Sequence, residues 1–324
     1  MFSRKFLLLY CAVAPGFTSF VARAATSDFP DSVLLLKPNI SVPNYELSFR
    51  SLADGREVVW APNVRELVGI DFYIKGLFGA GLAVRGPQQE GADLKGETKY
   101  QDWRLSLAFD SFLLQLDFQQ YRGFYAQNAA QVDPSYVAGG DFLQAPEMKA
   151  RNIAVGFSWV FSPERFSLPA AIDNTVRQTA SGGSWLAGFS LGENLFSNPT
   201  GLIPDAVEAS FGADRDIREG RFLNIVPTGG YGYTWVFGSS GKWFLTGILN
   251  VGVGTQRRNL RGEGVDEEGW REVIKADLFF GLGYSGDVWV GGLAGTAAGT
   301  TIKTRRTEIS SMPYSSVLYF GRRF

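Results

Sequence analysis

The dominant pattern of this sequence is alternation with a period of two, and it confines the chain to strands with one apolar and one polar face. Across 103–109, Trp103, Leu105, Leu107 and Phe109 alternate with Arg104, Ser106 and Ala108. After a break at Asp110-Ser111, Phe112, Leu114, Leu116 and Phe118 share one face, and Gln115, Asp117 and Gln119 the other. Successive strand side chains point to opposite sides, so the two runs form a hairpin that is greasy on one side only. The pattern returns in Ile153, Val155, Phe157, Trp159 and Phe161, and again in Ala276, Leu278, Phe280, Leu282 and Tyr284, where Lys275 and Asp277 hold the opposite face.

Such strands suit two architectures. A soluble sandwich turns its apolar faces to a shared core, whereas a membrane barrel turns them to lipid and lines its inside with polar groups. Several features select the barrel. The first 24 residues have the layout of a secretory signal: Arg4 and Lys5, an apolar core from Phe6 to Ala14, and a small-x-small site at Ala22-Arg23-Ala24. Several runs reach ten or more residues, matching a tilted spanning strand of ~9–11 residues. Mid-run charges such as Asp117, Lys275 and Asp277 fall on the face assigned to the lumen. The chain ends in Leu318, Phe320 and Phe324 on one face, a terminal strand of the kind that outer-membrane barrels present to their assembly machinery, although Arg322 stands where an apolar residue is more usual.

Hydrophobic residues make up 45% of the chain, yet mean hydropathy is −0.03, so the apolar content is dispersed. No run of eighteen apolar residues follows the signal, and no spanning helix is expected. Removal of the signal takes Arg4, Lys5 and Arg23, leaving 28 cations against 32 anions. A net charge of −4 is no footprint for nucleic acid. The only cysteine, Cys11, leaves with the signal, and with it disulfide and thiolate chemistry.

Thirteen runs are legible: 43–51, 56–74, 77–85, 98–109, 112–124, 148–161, 165–176, 182–194, 223–238, 242–256, 270–285, 287–303 and 307–324. Single-chain bacterial barrels have an even number of strands. The expectation is therefore an all-β, antiparallel transmembrane barrel of about 12 strands, with 10 to 14 as the range. The stretch 165–194 and the first run are the weakest. The division is 1–24 signal peptide, 25–42 periplasmic segment and 43–324 barrel. Long loops are expected at 86–97, 125–147 and 195–222, with a short charged one at 257–269, and the run list does not put all four on one side. Trp60, Tyr100, Trp103, Tyr121, Trp159, Trp235, Trp243 and Tyr319 are candidates for the interfacial aromatic belts.

The chemistry open to the chain is narrow. With no histidine, a Ser–His–acid mechanism has no base and histidine metal ligation is absent. Glu263, Asp266, Glu267 and Glu268 have the oxygen ligands that Ca²⁺ takes, but the spacing matches no EF-hand and four arginines (257, 258, 261 and 271) flank them, so a solvated charged loop is favoured. Gly252-Val253-Gly254 and Gly79-Ala80-Gly81 lie in strand runs with no helix following and are not phosphate loops. Arg177 and Gln178 are the other polar pair of note, with Arg177 expected to pair with Asp173 or Glu193 inside the wall. The expected lumen residues are thus Asp117, Arg177, Gln178, Lys275 and Asp277. No catalytic, cofactor or metal residues are expected.

Six short segments also look familiar. Thr98-Lys99-Tyr100-Gln101-Asp102-Trp103 leads through the hairpin into Gln120-Tyr121-Arg122-Gly123-Phe124-Tyr125. Arg165-Phe166-Ser167 precedes Arg177-Gln178 and Ser181-Gly182-Gly183-Ser184, and Gly230-Tyr231-Gly232-Tyr233 comes later. This ordered set resembles the domain-of-unknown-function 4421 family of Gram-negative outer-membrane proteins, over nearly all of the chain after the signal. The resemblance implies a barrel in the outer-membrane lipid and carries no activity with it. Three functions remain in view: a porin-like passage for small solutes, a closed structural or interaction barrel meeting a partner through its long loops, and, last, a barrel hydrolase.

Overall fold

In the computed structural model, residues 26–27, 32–74, 77–86, 92–304, 306–311 and 313–324 are described. The signal segment 1–24 lies outside them. Twelve antiparallel strands form the wall. They are β1 (Leu34–Asn44, resuming at Leu47–Ser51), β2 (Glu57–Ala61, resuming at Leu67–Ile74), β3 (Phe78–Arg85), β4 (Lys99–Ala108), β5 (Phe112–Ala126) and β6 (Gln144–Val160). The other six are β7 (Gly182–Ser197), β8 (Ile217–Phe237), β9 (Trp243–Gly262), β10 (Val265–Ser285), β11 (Trp289–Lys303) and β12 (Thr307–Ser311, resuming at Tyr314–Arg323). Each pairs with its sequence neighbour. The sheet closes where β12 meets β1, through Leu318↔Ile40 and Ser310↔Ser48. Closure leaves no open edge, the condition that lipid places on a spanning sheet.

The alternation explains which face is which. Along β9 the outward residues run Trp243, Leu245, Gly247, Leu249, Val251 and Val253; three of them, Leu249, Val251 and Val253, are more than half exposed. The same apolar stretch appears outside β6 and β8 and is bounded above by charge. Arg151, Glu193 and Arg221, neighbours on β6, β7 and β8, form an outward ion triad with contacts of 2.9 and 2.8 Å. The opposite border is aromatic, with Trp159, Trp185, Trp235, Trp243 and Trp289 all exposed. An apolar belt between an aromatic ring and a charged ring is the exterior of a membrane barrel. Trp60, Tyr121 and Tyr319 are instead buried inside, and Tyr100 packs against Tyr121 beside them, so belt membership for these four is corrected. Arg322 is accommodated on the rim: its guanidinium lies 5.3 Å from the Trp289 ring centroid and 4.8 Å from that of Phe324.

Three expectations change. The wall starts at Leu34, so 34–42 belong to β1 and not to a periplasmic segment. The alternation runs through this stretch, with Ile40 and Val42 exposed outside and Lys37 buried inside on the same parity as Asn39 and Ser41. The run 165–176 is no strand; it contains a helical turn, Pro169–Asp173, of the connection between β6 and β7. Removing it gives the even count and places loops 86–98, 127–143 and 198–216 at one end. The stretch 257–269 is the tip of the β9–β10 hairpin at that same end, paired as far as Gly262↔Val265.

β3 and β4 are short, and β5 rises past them. It does so at Gly123, where φ is +91° and an added Cβ would stand 2.2 Å from the Glu97 carbonyl oxygen. Register shifts there, and beyond it β5 pairs with β2 through Trp60↔Ala126. A left-handed bulge of this kind needs glycine, which gives the Tyr121-Arg122-Gly123-Phe124 segment a structural reason.

Candidate functional site

The lumen is filled at both ends and hollow between. At the loop end, segment 198–216 folds inward and buries Leu202, Ile203, Val207 and Phe211 among inward wall residues such as Leu47, Phe49, Phe222 and Leu260. Trp60 donates its indole N–H to the Leu202 carbonyl at 2.8 Å. The Asp214 carboxylate accepts from the hydroxyls of Thr304 (2.6 Å) and Thr307 (2.9 Å), tying this cap to the β11–β12 turn. Ser210 donates to Asp54 at 2.7 Å, fixing it to the β1–β2 turn; this hydrogen bond, with that from the Arg56 amide, holds the Asp54 carboxyl below its ordinary range. Segment 127–143 adds Ala129 and Val132 to the buried surface.

At the turn end, the connection 161–181 forms a second insert. Phe166, fully buried, packs with Leu113, Leu186 and Ile248 of the wall. Gly232 makes room for it, since a Cβ there would lie 2.5 Å from the Phe166 ring. Gln178 is buried and holds the insert together: its amide donates to the carbonyls of Arg165 (3.2 Å) and Ala180 (3.0 Å), and its oxygen accepts from the Ser167 amide at 3.2 Å. Thr26–Ser27 pairs as a short strand with Arg177–Gln178. The sequence suggested Asp173 or Glu193 as the ion-pair partner of Arg177; among the described residues its salt bridge goes elsewhere. Arg177 binds Asp287 in the β10–β11 turn at 2.7 Å, which Lys242 also reaches at 2.6 Å. These two hydrogen bonds, that of Lys242 first, pull the Asp287 carboxyl from 3.8 down to about 2. Arg323 of the last strand donates to the Asn174 carbonyl at 2.6 Å. Glu193 belongs to the outward triad and is remote from the insert.

Between cap and insert lies a chamber of about 410 Å³ with a mixed charged and apolar lining. Asp117, Lys275 and Asp277 line it, as the alternation places them. Arg104 on β4 pairs with Asp117 across the hairpin at 2.8 Å; Lys275 binds Asp277 at 2.6 Å and the Ser190 hydroxyl at 3.2 Å. Arg177 and Gln178 do not line it. Sequence reasoning missed Lys37, Asp71, Arg104 and Asp173, which do. Asp71 and Arg104 carried the same signal as Asp117, a charge on the inward parity of a run. Asp173 was expected only as a wall partner of Arg177, whereas it sits on the helical turn of the β6–β7 connection, which local pattern does not place in the lumen. At the chamber floor, Lys37 donates to the Asp173 carbonyl at 3.0 Å and lies 5.1 and 4.7 Å from the Tyr73 and Tyr319 ring centroids. Tyr73 donates its hydroxyl to Asp173 Oδ1 at 3.2 Å, and Asn39 donates to Asp71 at 3.1 Å.

Among the described residues no cluster of three or more carboxylate, histidine or cysteine side chains is arranged to hold a metal. The acidic tip is spent on arginines, Glu263 on Arg218 at 3.1 Å and Glu268 on Arg257.

A sheet closed on itself, apolar outside and lined with polar groups inside, makes this a transmembrane β-barrel protein. Residues 29–324 match the family model described as "Domain of unknown function (DUF4421)", and the chain belongs to that family. No curated protein matches it. Among solved structures it is similar to the outer membrane protease OmpT from Escherichia coli, at 10% identity and a TM-score of 0.40, covering 92% of this chain and 98% of that one. It is also similar to the toluene transporter TodX of Pseudomonas putida, at 9% identity and a TM-score of 0.30, with 93% and 94% covered. A FadL homologue of Pseudomonas aeruginosa gives 10% identity and a TM-score of 0.31, with 90% of each chain covered. Likenesses of this grade carry no argument about activity, and the architecture rests on the strand pairing itself.

Proposed function

We propose that this protein is a closed outer-membrane barrel that does not conduct in its resting state and that opens its central chamber only when the cap or the insert moves. The observation that carries the reading is that packed protein lies at both ends of the lumen, an apolar cluster under the cap and a second one around Phe166 of the insert, which Arg177 and Lys242 also tie to Asp287. A barrel of twelve strands lies between the ~8 that side chains fill and the ~16 that leave a channel, so strand number favours neither reading and the inserts support the closed one. Free passage of small solutes is therefore the weaker reading. Export by the N-terminal signal, delivery through the exposed Phe324 to the assembly machinery, and a loop end facing outward complete the proposal. Absence of histidine argues against a hydrolase of the serine–histidine type.

The test is single-channel recording in planar bilayers with the chain from Ala25 onward, its folding checked by a heat-modifiable gel shift. Silence is expected from the parent. A variant carrying Phe211→Ala and Gln178→Ala, which loosens both closures, should show openings. Steady ohmic steps from the folded parent would overturn the proposal.

A further inference from the structure

The charged border outside the barrel is not uniform. Cross-strand neighbours in a sheet have Cβ atoms ~4.5–5.5 Å apart, and like charges directly opposite each other destabilise the pair. Across β8, β9 and β10 the border alternates in sign, with Glu219 opposite Arg261 and Arg261 opposite Asp266. Across β4, β5 and β6 it does not. Lys99 stands opposite Arg122, and Arg122 opposite Lys149, so three cations share one row. Their chain neighbours Thr98, Tyr121 and Met148 are buried inside, which turns the three outward. Arg122 is paired with Glu147 at 2.7 Å. Lys99 and Lys149 are exposed and, among the described residues, form no salt bridge. Glu97, two residues before Lys99, is drawn to Arg85 at 3.5 Å. The triad of Arg151, Glu193 and Arg221 adds one positive charge, which Glu219 beside Arg221 offsets. Two uncompensated cations remain at the top of the wall. Below them the outward face changes in order. Gln101 and Gln120 stand opposite each other, Trp103 then stacks on Phe118 with ring centroids 5.0 Å apart, and Leu105 and Leu107 continue into the apolar belt.

We infer that the outside of β4–β6 is a binding site for a phosphorylated glycolipid of the outer leaflet. Its phosphomonoester lies on Lys99, Arg122 and Lys149, its sugar hydroxyls meet Gln101 and Gln120, and its acyl chains run down over Trp103 and Phe118. A phosphomonoester carries about −1.5 to −2 at neutral pH, which matches two uncompensated cations, whereas a phosphodiester supplies only one charge. A free phosphate would leave the amide and aromatic rows unused. Basic clusters at a membrane surface hold anionic head groups through the same attraction. The inference rests on the proposed function only in that the loop end faces outward, and not on closure of the lumen.

The chain from Ala25 is folded in detergent and offered lipid A, dephosphorylated lipid A or phosphatidylglycerol at equal concentration, and bound lipid is read by native mass spectrometry. Lipid A should bind in preference to the other two. Lys99→Gln combined with Lys149→Gln should weaken its binding by about tenfold or more. Both side chains are exposed, so the variant should keep the heat-modifiable gel shift of the parent. Arg261→Gln, in the row of alternating sign, removes a border cation without touching the site and should leave binding unchanged. Equal binding of the dephosphorylated lipid would mean that the chains alone are held. Equal binding of phosphatidylglycerol, an undiminished double variant, or an equal loss in Arg261→Gln would mean general attraction of anionic lipid. Each of these results would overturn the inference. Orientation is read separately, by labelling Val137→Cys in intact cells with a membrane-impermeant thiol reagent; a protected cysteine would overturn the outer-leaflet source. The bilayer recording reports on closure, so either idea can fail alone.

Discussion

Replacing Phe211 with alanine should unseat the cap without unfolding the wall. Phe211 ends the short helix Glu208–Phe211, is fully buried, and packs in the cluster that includes Leu47, Trp60 and Leu202. Truncating such a phenylalanine costs ~3–5 kcal/mol. The cap is a loop laid against a rigid wall, so the loss falls on the local balance between seated and unseated loop rather than on global stability. At 1.4 kcal/mol per factor of ten, the unseated fraction should rise by roughly two to four powers of ten. A cysteine placed at Asn250, which lines the chamber, reports that fraction through its reaction with a small thiol reagent. The chain from Ala25 has no cysteine of its own, since Cys11 is the only one. Phe211→Ala should accelerate labelling by about a hundredfold or more, in keeping with that core-truncation cost. A control cysteine at Val137, 72% exposed, should react equally fast in both backgrounds. If Asn250→Cys in the parent reacts as fast as Val137→Cys, the chamber is already open. If Phe211→Ala leaves the rate unchanged, the cap is not the barrier.

Two further outcomes are expected. Leu249→Arg places a charge at the middle of the outward apolar stretch of β9 and should destabilise the barrel in lipid by ~2–4 kcal/mol, whereas Thr255→Arg, at the charged border, should cost ~0–1; denaturant titration in vesicles separates them, and equal effects would mean that this face does not meet lipid. The latch of Arg177 and Lys242 on Asp287 should be insensitive to pH from neutrality down to about 4 and weaken below it. The Asp287 carboxyl titrates lower in the fold, at about 2, than its ordinary 3.8, so the stabilisation is complete above the ordinary value and lost as pH falls through the folded one. Hydrogen exchange of amides 161–181, corrected for intrinsic rate, should show that onset, and Asp287→Asn should remove it.

Much of the wall was legible because period-two alternation is local: each residue's parity states its face. The inward placement of Asp117, Lys275 and Asp277 followed from it, as did the apolar exterior of β9 and β10. Asp71 and Arg104 could have been read the same way, since each is a charge on the inward parity of its run. Lys37 could also have been read this way, since it shares its parity with Asn39 and Ser41, opposite Ile40 and Val42. The aromatic residues were read less well, since alternation gives a face but not a height, and Trp60, Tyr121 and Tyr319 needed a lumen to be buried in.

The familiar motifs fall into place only in three dimensions. Gly123 lets β5 leave β4 for β2, Gly232 clears space for Phe166, and Gln178 binds the insert that carries both Phe166 and Asp173. By itself the sequence determined a lipid-facing β-barrel, because strand parity and the absence of a long apolar run depend on near neighbours alone. Tertiary structure decided that two connections fold back into the lumen and that charged side chains meet in a chamber between them. Those features depend on where two connections fold back into the lumen, and on charges brought together from β1, β2, β4, β5, β10 and the insert, which local pattern cannot express.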